Sequence, residues 1–132
     1  MGTFKTIEEA REYFTGDRFA MTNGIRIDEL SADGCVCSLT IDEHHRNARG
    51  GVMGGAIFTL ADFAFAVASN NEKKGTVSLH SSIEYLSGAK GETLYATAKC
   101  VKNGRKTCVY EVTVTDDTGR SVALYIGTGY RE

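Results

Sequence analysis

The chain contains no proline and no tryptophan. Without proline, the breaks between its elements fall to glycine, asparagine and aspartate. Charge of one sign is also lacking: 15 lysines and arginines face 17 aspartates and glutamates, a formal net charge of −2. That balance gives no electrostatic case for a nucleic acid or an anionic membrane as partner. No basic-then-apolar signal opens the sequence, so the expectation is a protein that is not exported. The one long apolar stretch is too short, and too rich in glycine and alanine, to span a bilayer. Repeats, linkers and low-complexity tracts are missing as well. These absences leave a soluble, cytoplasmic protein whose 132 residues suffice for one domain, residues 1–132, with a proper core.

Metal-ligand spacing is absent too. The cysteines stand at 35, 37, 100 and 108, and the three histidines are not placed to complete a zinc set with them. Cys35 and Cys37 share one face of a strand. Cys100 and Cys108 flank a hairpin turn at Asn103-Gly104. A two-residue turn pairs Cys100 with Thr107, whereas a three-residue loop brings the two thiols opposite each other. Reduced, partly buried thiols are the expectation for all four.

What is present begins with Thr6-Ile-Glu-Glu9, a capping box, and Gly16, a stop. Ile7, Ala10, Tyr13 and Phe14 recur at helical spacing between them. From Ala20 to Asp42 the period falls to two, predicting two strands around a turn at Asp33-Gly34. His44–Gly51 reads as a polar, basic loop. After the apolar stretch, Thr76–Leu86, Glu92–Lys102, Lys106–Thr115 and Arg120–Tyr130 all read as strands. Their order predicts three consecutive hairpins.

The apolar stretch, GGVMGGAIFTLADFAFAVASN from Gly50 to Asn70, carries one charge, Asp62. It predicts a helix from Gly54 to about Ser69. A helix this apolar must be buried on most sides. Phe58, Phe63 and Phe65 point in different directions around it, so the sheet is expected to curl about the helix rather than lie flat beneath it. The result is an α+β fold: a short N-terminal helix and a long central helix wrapped by a curved antiparallel sheet of five to six strands.

A lone carboxylate on such a helix is costly unless it is hydrogen-bonded or protonated. Functional sites are where such costs are tolerated, although a structural carboxylate bonded to a neighbouring group fits equally. At the helix start, Gly54 and Gly55 expose amides that have no partner within the helix, backed by the positive end of its dipole. That arrangement polarises a carbonyl and holds an oxyanion; the glycines also fit a role in close helix-on-sheet packing. Eight residues separate Gly54 from Asp62, roughly 12 Å along the axis. One carbonyl cannot easily meet both, so joint action calls for two subunits with antiparallel helices.

The run His45-x-Asn47-x-x-Gly50-x-x-Met53-Gly54-Gly55, with Asp62 seven residues on, resembles the signature of hotdog-fold acyl-CoA thioesterases of the phenylacetic-acid-degradation (PaaI-like) group. Ser78, the run Ile83-Glu84-Tyr85-Leu86-Ser87-Gly88-Ala89 and the glycine-rich last strand extend the resemblance over most of the chain from Ile25. It implies hydrolysis of an acyl-CoA to the free acid and coenzyme A, without metal or organic cofactor. In that scheme Gly54, with Gly55, donates amides to the thioester carbonyl. The partner subunit's Asp62 is general base or nucleophile, Asn47 places substrate or water, and Ser78 orients the lytic water. The expected acyl lining is Met53, Phe58, Phe63, Phe65 and residues of the strand from Thr76 to Leu86. Lys90, Lys102, Arg105 and Lys106 are candidates, by charge alone, for the coenzyme A phosphates. A homodimer with composite sites follows, and a homotetramer of two dimers is common in that family.

One departure is visible. The family usually has histidine where this chain has Met53, which cannot replace it as a donor. The Gly54 amide does not depend on that side chain. Met53 favours an alternative, a non-catalytic acyl-CoA or acyl-carrier binding protein, while Asn47 and Asp62 speak against it. A hotdog dehydratase stands third: His44 and His45 are present, but the His-Phe-Pro-Gly context is not. Both histidines read as solvated or capping residues.

Overall fold

The computed structural model describes residues 2–132. Thr6 Oγ1 accepts the Glu9 amide at 3.1 Å and starts α1, Ile7–Phe14. A second short helix, α2 (Arg18–Thr22), follows where the sequence reading begins a strand region at Ala20. Asp17 caps it by accepting the Ala20 amide at 3.0 Å; five residues are too few to show helical periodicity against their surroundings. The hairpin of β1 (Arg26–Ser31) and β2 (Gly34–Thr40) turns at Ala32-Asp33. The polar loop beyond it holds one 3-10 turn, Glu43–His45.

The apolar stretch forms α3, Gly54–Glu72, starting at the expected residue and running three beyond the expected end. Asn70 accounts for the extension. Its amide donates to Ala66 O (3.0 Å) and Thr76 O (3.2 Å), and its Oδ1 accepts the Gly75 and Thr76 amides (3.0 and 3.1 Å). The helix end and the next strand, β3 (Thr76–Tyr85), are thereby tied together.

β4 (Thr93–Asn103), β5 (Thr107–Asp116) and β6 (Ser121–Arg131) complete one antiparallel sheet in the order β1-β2-β4-β5-β6-β3. The expected β3–β4 hairpin is therefore absent. β4 has β2 on one edge and β5 on the other, so β3 pairs instead with β6. The connecting chain crosses the ends of β5 and β6, where buried Asp116 Oδ2 accepts the Lys90 and Gly91 amides at 2.7 and 3.2 Å. Asp116 Oδ1 takes the Thr118 hydroxyl and the Thr118 and Arg120 amides. These bonds, the Thr118 hydroxyl foremost, hold its carboxyl well below the usual range.

Asn103 belongs to β4 and pairs with Cys108, so the turn is centred at Arg105-Lys106 rather than at Asn103-Gly104. With a bulge at Val101, Cys100 then stands opposite Tyr110, and neither expected pairing occurs. All four cysteines are free thiols.

The sheet curls round α3, which packs against β2, β3, β4, β5 and β6. Phe65 marks the closest approach. A Cβ on Gly127 would lie 2.9 Å from its ring, and one on Gly129 3.1 Å, so glycine in β6 lets helix and sheet meet. Burying such a ring contributes about 2–3 kcal/mol. One stripe of α3 stays partly open: Gly55, Phe58, Thr59, Asp62, Ala66 and Asn70, at helical spacing. Asp62 thus lies on a side of the helix that the described residues leave partly open. Among the described residues, no helix is long and apolar enough to cross a membrane.

Candidate active site

The loop before α3 is built by Asn47. Its Oδ1 accepts the Arg49 and Gly51 amides at 2.9 and 3.1 Å, and its own amide donates to Gly51 O at 2.8 Å. Gly50 takes φ +85, a conformation that favours glycine. His45 is buried and spent on the same loop: Nδ1 accepts the Asp42 amide (3.0 Å) and Nε2 lies 3.0 Å from Asn23 O. His44, half exposed, pairs with Asp42. Asp42, His44 and His45 bring metal-ligating atoms within 4.8 Å of one another. Both His45 nitrogens, however, already serve backbone groups.

The loop delivers Met53 to the end of α3 through its amide, which donates to His45 O at 2.8 Å. The Met53 side chain makes no capping bond and is 52% exposed. Met53 O accepts the Ala56 and Ile57 amides, whereas the Gly54 and Gly55 amides have no acceptor among the described residues. Tyr85 closes over this corner, donating from Oη to Gly54 O at 2.9 Å. A Cβ on Gly54 would sit 3.2 Å from the Tyr85 ring, a tight contact that glycine avoids.

Asp62 lies two turns down the same helix, roughly 12 Å along the axis. Tyr125 Oη donates to Asp62 Oδ1 at 2.9 Å. Burial raises the Asp62 pKa, the Tyr125 bond partly offsets this, and the negative charge of Asp17 adds to the rise. The carboxylate faces a cleft of about 300 Å³ lined by Asp17, Phe19, Phe58, Thr59 and Phe63. A second cleft of similar volume, lined by Phe19, Met53, Gly55 and Thr59, continues toward the helix start.

Ser78 joins this group indirectly: Ser78 Oγ lies 3.4 Å from Ser81 Oγ, which lies 3.0 Å from Tyr125 Oη. Three residues apart on a regular strand, the two serines would face opposite sides. The bulge between Ser78 and His80 turns them to one side.

The aromatic candidates separate. Phe58 packs on Tyr125 at 5.5 Å and stays partly exposed beside Asp62. Phe63 is buried against Phe14 at 5.4 Å, touching the cleft only at its edge. Phe65 is buried against Tyr110 and Tyr125 and lines neither cleft. The basic candidates separate as well. Lys90 lies in the β3–β4 crossover, at the end of the sheet that holds Gly54 and Tyr85. Lys102, Arg105 and Lys106 cluster at the β4–β5 turn, some 30 Å away along the strand. Lys102 Nζ donates to Thr107 there, and Lys106 sits over the Tyr130 ring.

Sequence reasoning missed Tyr125, Ser81 and Tyr85 as site residues. Tyr125 left one usable signal: an inward position on an alternating strand, where a buried phenol needs a partner.

The thioesterase superfamily profile matches residues 49–123, the stretch that carries every group above from Gly54 to Ser81. The acyl-coenzyme A thioesterase PaaI of Escherichia coli is 31% identical over 128 residues, covering 96% of this chain and 91% of that protein. The solved E. coli PaaI structure superposes with a TM-score of 0.88 at 30% identity, over 93% of this chain and 90% of that one. A hypothetical thioesterase from Streptococcus pneumoniae, solved with coenzyme A, is 28% identical with a TM-score of 0.82, over 90% and 99% of the two chains. By sequence and by fold, the chain belongs to the thioesterase superfamily, as a hotdog-fold protein of the PaaI-like group.

Proposed function

We propose that this protein hydrolyses an acyl-CoA thioester at sites shared between two subunits. The observation that carries the reading is the pairing, on one helix, of two unclaimed amides with a half-buried carboxylate about 12 Å further on. Gly54 and Gly55 bind the thioester carbonyl and stabilise the oxyanion. Asp62 of the partner subunit activates water or attacks the carbonyl; its raised pKa makes it a stronger base than a solvated aspartate. Ser78 orients the water, and Asn47 shapes the loop that aims the amides.

The dimer finds support in β3. It forms one edge of the sheet, ten residues long, with Val77 and Leu79 45% and 62% exposed. A long apolar edge is a liability unless another strand or chain covers it. A homotetramer of two such dimers is the further assembly. The substrate class is supported by the PaaI relative and by the coenzyme A-bound neighbour. Lys102, Arg105 and Lys106 are retained as one candidate phosphate cluster, and Lys90 as a separate one. Four free thiols suit the reducing cytoplasm.

The test is thiol release from acetyl-, hexanoyl-, palmitoyl- and phenylacetyl-CoA by the wild-type protein and by Asp62→Asn. Turnover by the first and none by a folded second is expected; equal turnover would refute the role of Asp62. The exposed Met53, making no capping bond, favours a second reading, a binding-only protein. Saturable binding of these compounds with no thiol released would establish it.

A further inference from the structure

We propose that Tyr125 is a positioning residue for Asp62: its hydroxyl pins Oδ1 and leaves Oδ2 as the oxygen that meets water or thioester. The proposal rests on Asp62 being the reacting carboxylate.

The direction of the bonds follows from proton counting. An ionised carboxylate only accepts, so the single Tyr125 proton is committed to Asp62. Ser81 must then donate to Tyr125 Oη, and Ser78 is placed to donate to Ser81, with a longer separation of 3.4 Å. Every hydroxyl in the row points its proton toward the carboxylate.

The phenol is a rigid donor. Tyr125 has no exposed surface, and its ring is fixed edge-on to Phe58 at 5.5 Å and tilted against Phe65 at 6.2 Å. A Cβ on Gly127 would lie 2.9 Å from the same ring, so the strand fits closely around it. A carboxylate torsion is otherwise broad; here one oxygen is held from inside the sheet while the other side of the group faces the cleft.

The bond also bears on protonation. Two ionisable groups face Asp62 from the elements packed on it: Tyr125 on β6 and Asp17 at the start of α2. On β3 the nearby groups are the Ser78 and Ser81 hydroxyls, and α3 carries no other charge between Gly50 and Asn70. Burial and Asp17 disfavour the carboxylate, and Tyr125 alone opposes them. Burial raises the phenol's own pKa, so it stays a donor throughout the working range.

Tyr125→Phe tests this because it keeps the ring and removes only the hydroxyl. We expect kcat/KM at neutral pH to fall about tenfold, mostly in kcat, with the acidic limb of the pH profile displaced upward by about one pH unit. Ser81→Ala should move the limb the same way by less, and it carries the test should Tyr125→Phe not fold. A 13C NMR titration of the Asp62 carboxyl carbon reads the same displacement without substrate. A merely structural role would lower Tm and leave the limb and the titration in place, and that result overturns the proposal. Asp62→Asn measured alongside separates the two failures. An active Asp62→Asn removes the underlying assignment. An inactive Asp62→Asn beside a wild-type limb in Tyr125→Phe removes only the positioning role.

Discussion

The two ends of α3 are treated in opposite ways. At the C-terminal end Asn70 alone makes four hydrogen bonds that close the last turn onto β3. At the N-terminal end the capping position belongs to Met53, whose side chain makes no capping bond, and two amides are left without an acceptor among the described residues. Both ends belong to one helix in one core, so the difference is not a matter of packing quality. An end that serves only stability is satisfied internally. An end left open, with a tyrosine close over its first glycine, fits a ligand that brings its own oxygen.

The comparison can be broken in several places. The largest effect is expected from Asp62→Asn, with hydrolysis falling on the order of a thousandfold. Its stability should change the other way. The folded-state pKa of Asp62 is raised above its unfolded value, so ionisation costs the folded state. Stability tied to this group is greatest below the unfolded pKa and declines as pH rises through the folded one. Asp62→Asn should therefore raise Tm at pH 7, and the gain should vanish near pH 3, as read by thermal melts across that range. For the same reason wild-type activity should drop as pH falls through the raised pKa.

Gly54→Pro comes next. Proline suits the first position of a helix and accepts the extended Met53 before it, yet it deletes one of the open amides. Activity should fall on the order of a hundredfold, with Tm lowered only by the displacement of Tyr85. At the other end the prediction inverts. Asn70→Ala should cost about 2–3 kcal/mol in chemical denaturation and leave kcat per folded molecule unchanged. The smallest effect is expected from replacing Lys102, Arg105 and Lys106 together with alanine: a rise of about threefold in KM for acyl-CoA, steeper at low salt, with kcat intact.

How much of this was legible in the sequence follows the range of the interactions. The start of α3 and the Thr6 N-cap are written in adjacent residues. The Glu9 half of the expected capping box does not form, but both of these features were read correctly. The partner of β3 was not, because it depends on which edges β2 and β5 already occupy. The Cys100 register failed because the turn is centred two residues further on, at Arg105-Lys106, a displacement that the Val101 bulge offsets only in part. In the site, Asp62 and the Gly54 amides stand out because an apolar stretch makes any charge or double glycine conspicuous. Tyr125 is 63 positions from Asp62, on a strand where a tyrosine looks ordinary, so only the folded chain shows that they meet. The basic residues erred in the opposite sense: charge alone grouped Lys90 with Lys102, Arg105 and Lys106, and a strand's length separates them.

The central claim is that an open amide of one subunit works with the carboxylate of another. Subunit exchange between inactive Asp62→Asn and inactive Gly54→Pro proteins tests it most directly. A mixed dimer then contains one site with both defects and one with neither. The account predicts that acyl-CoA hydrolysis returns as mixed dimers form, in proportion to their fraction by native mass spectrometry. Mixed dimers that form and stay inactive would contradict it.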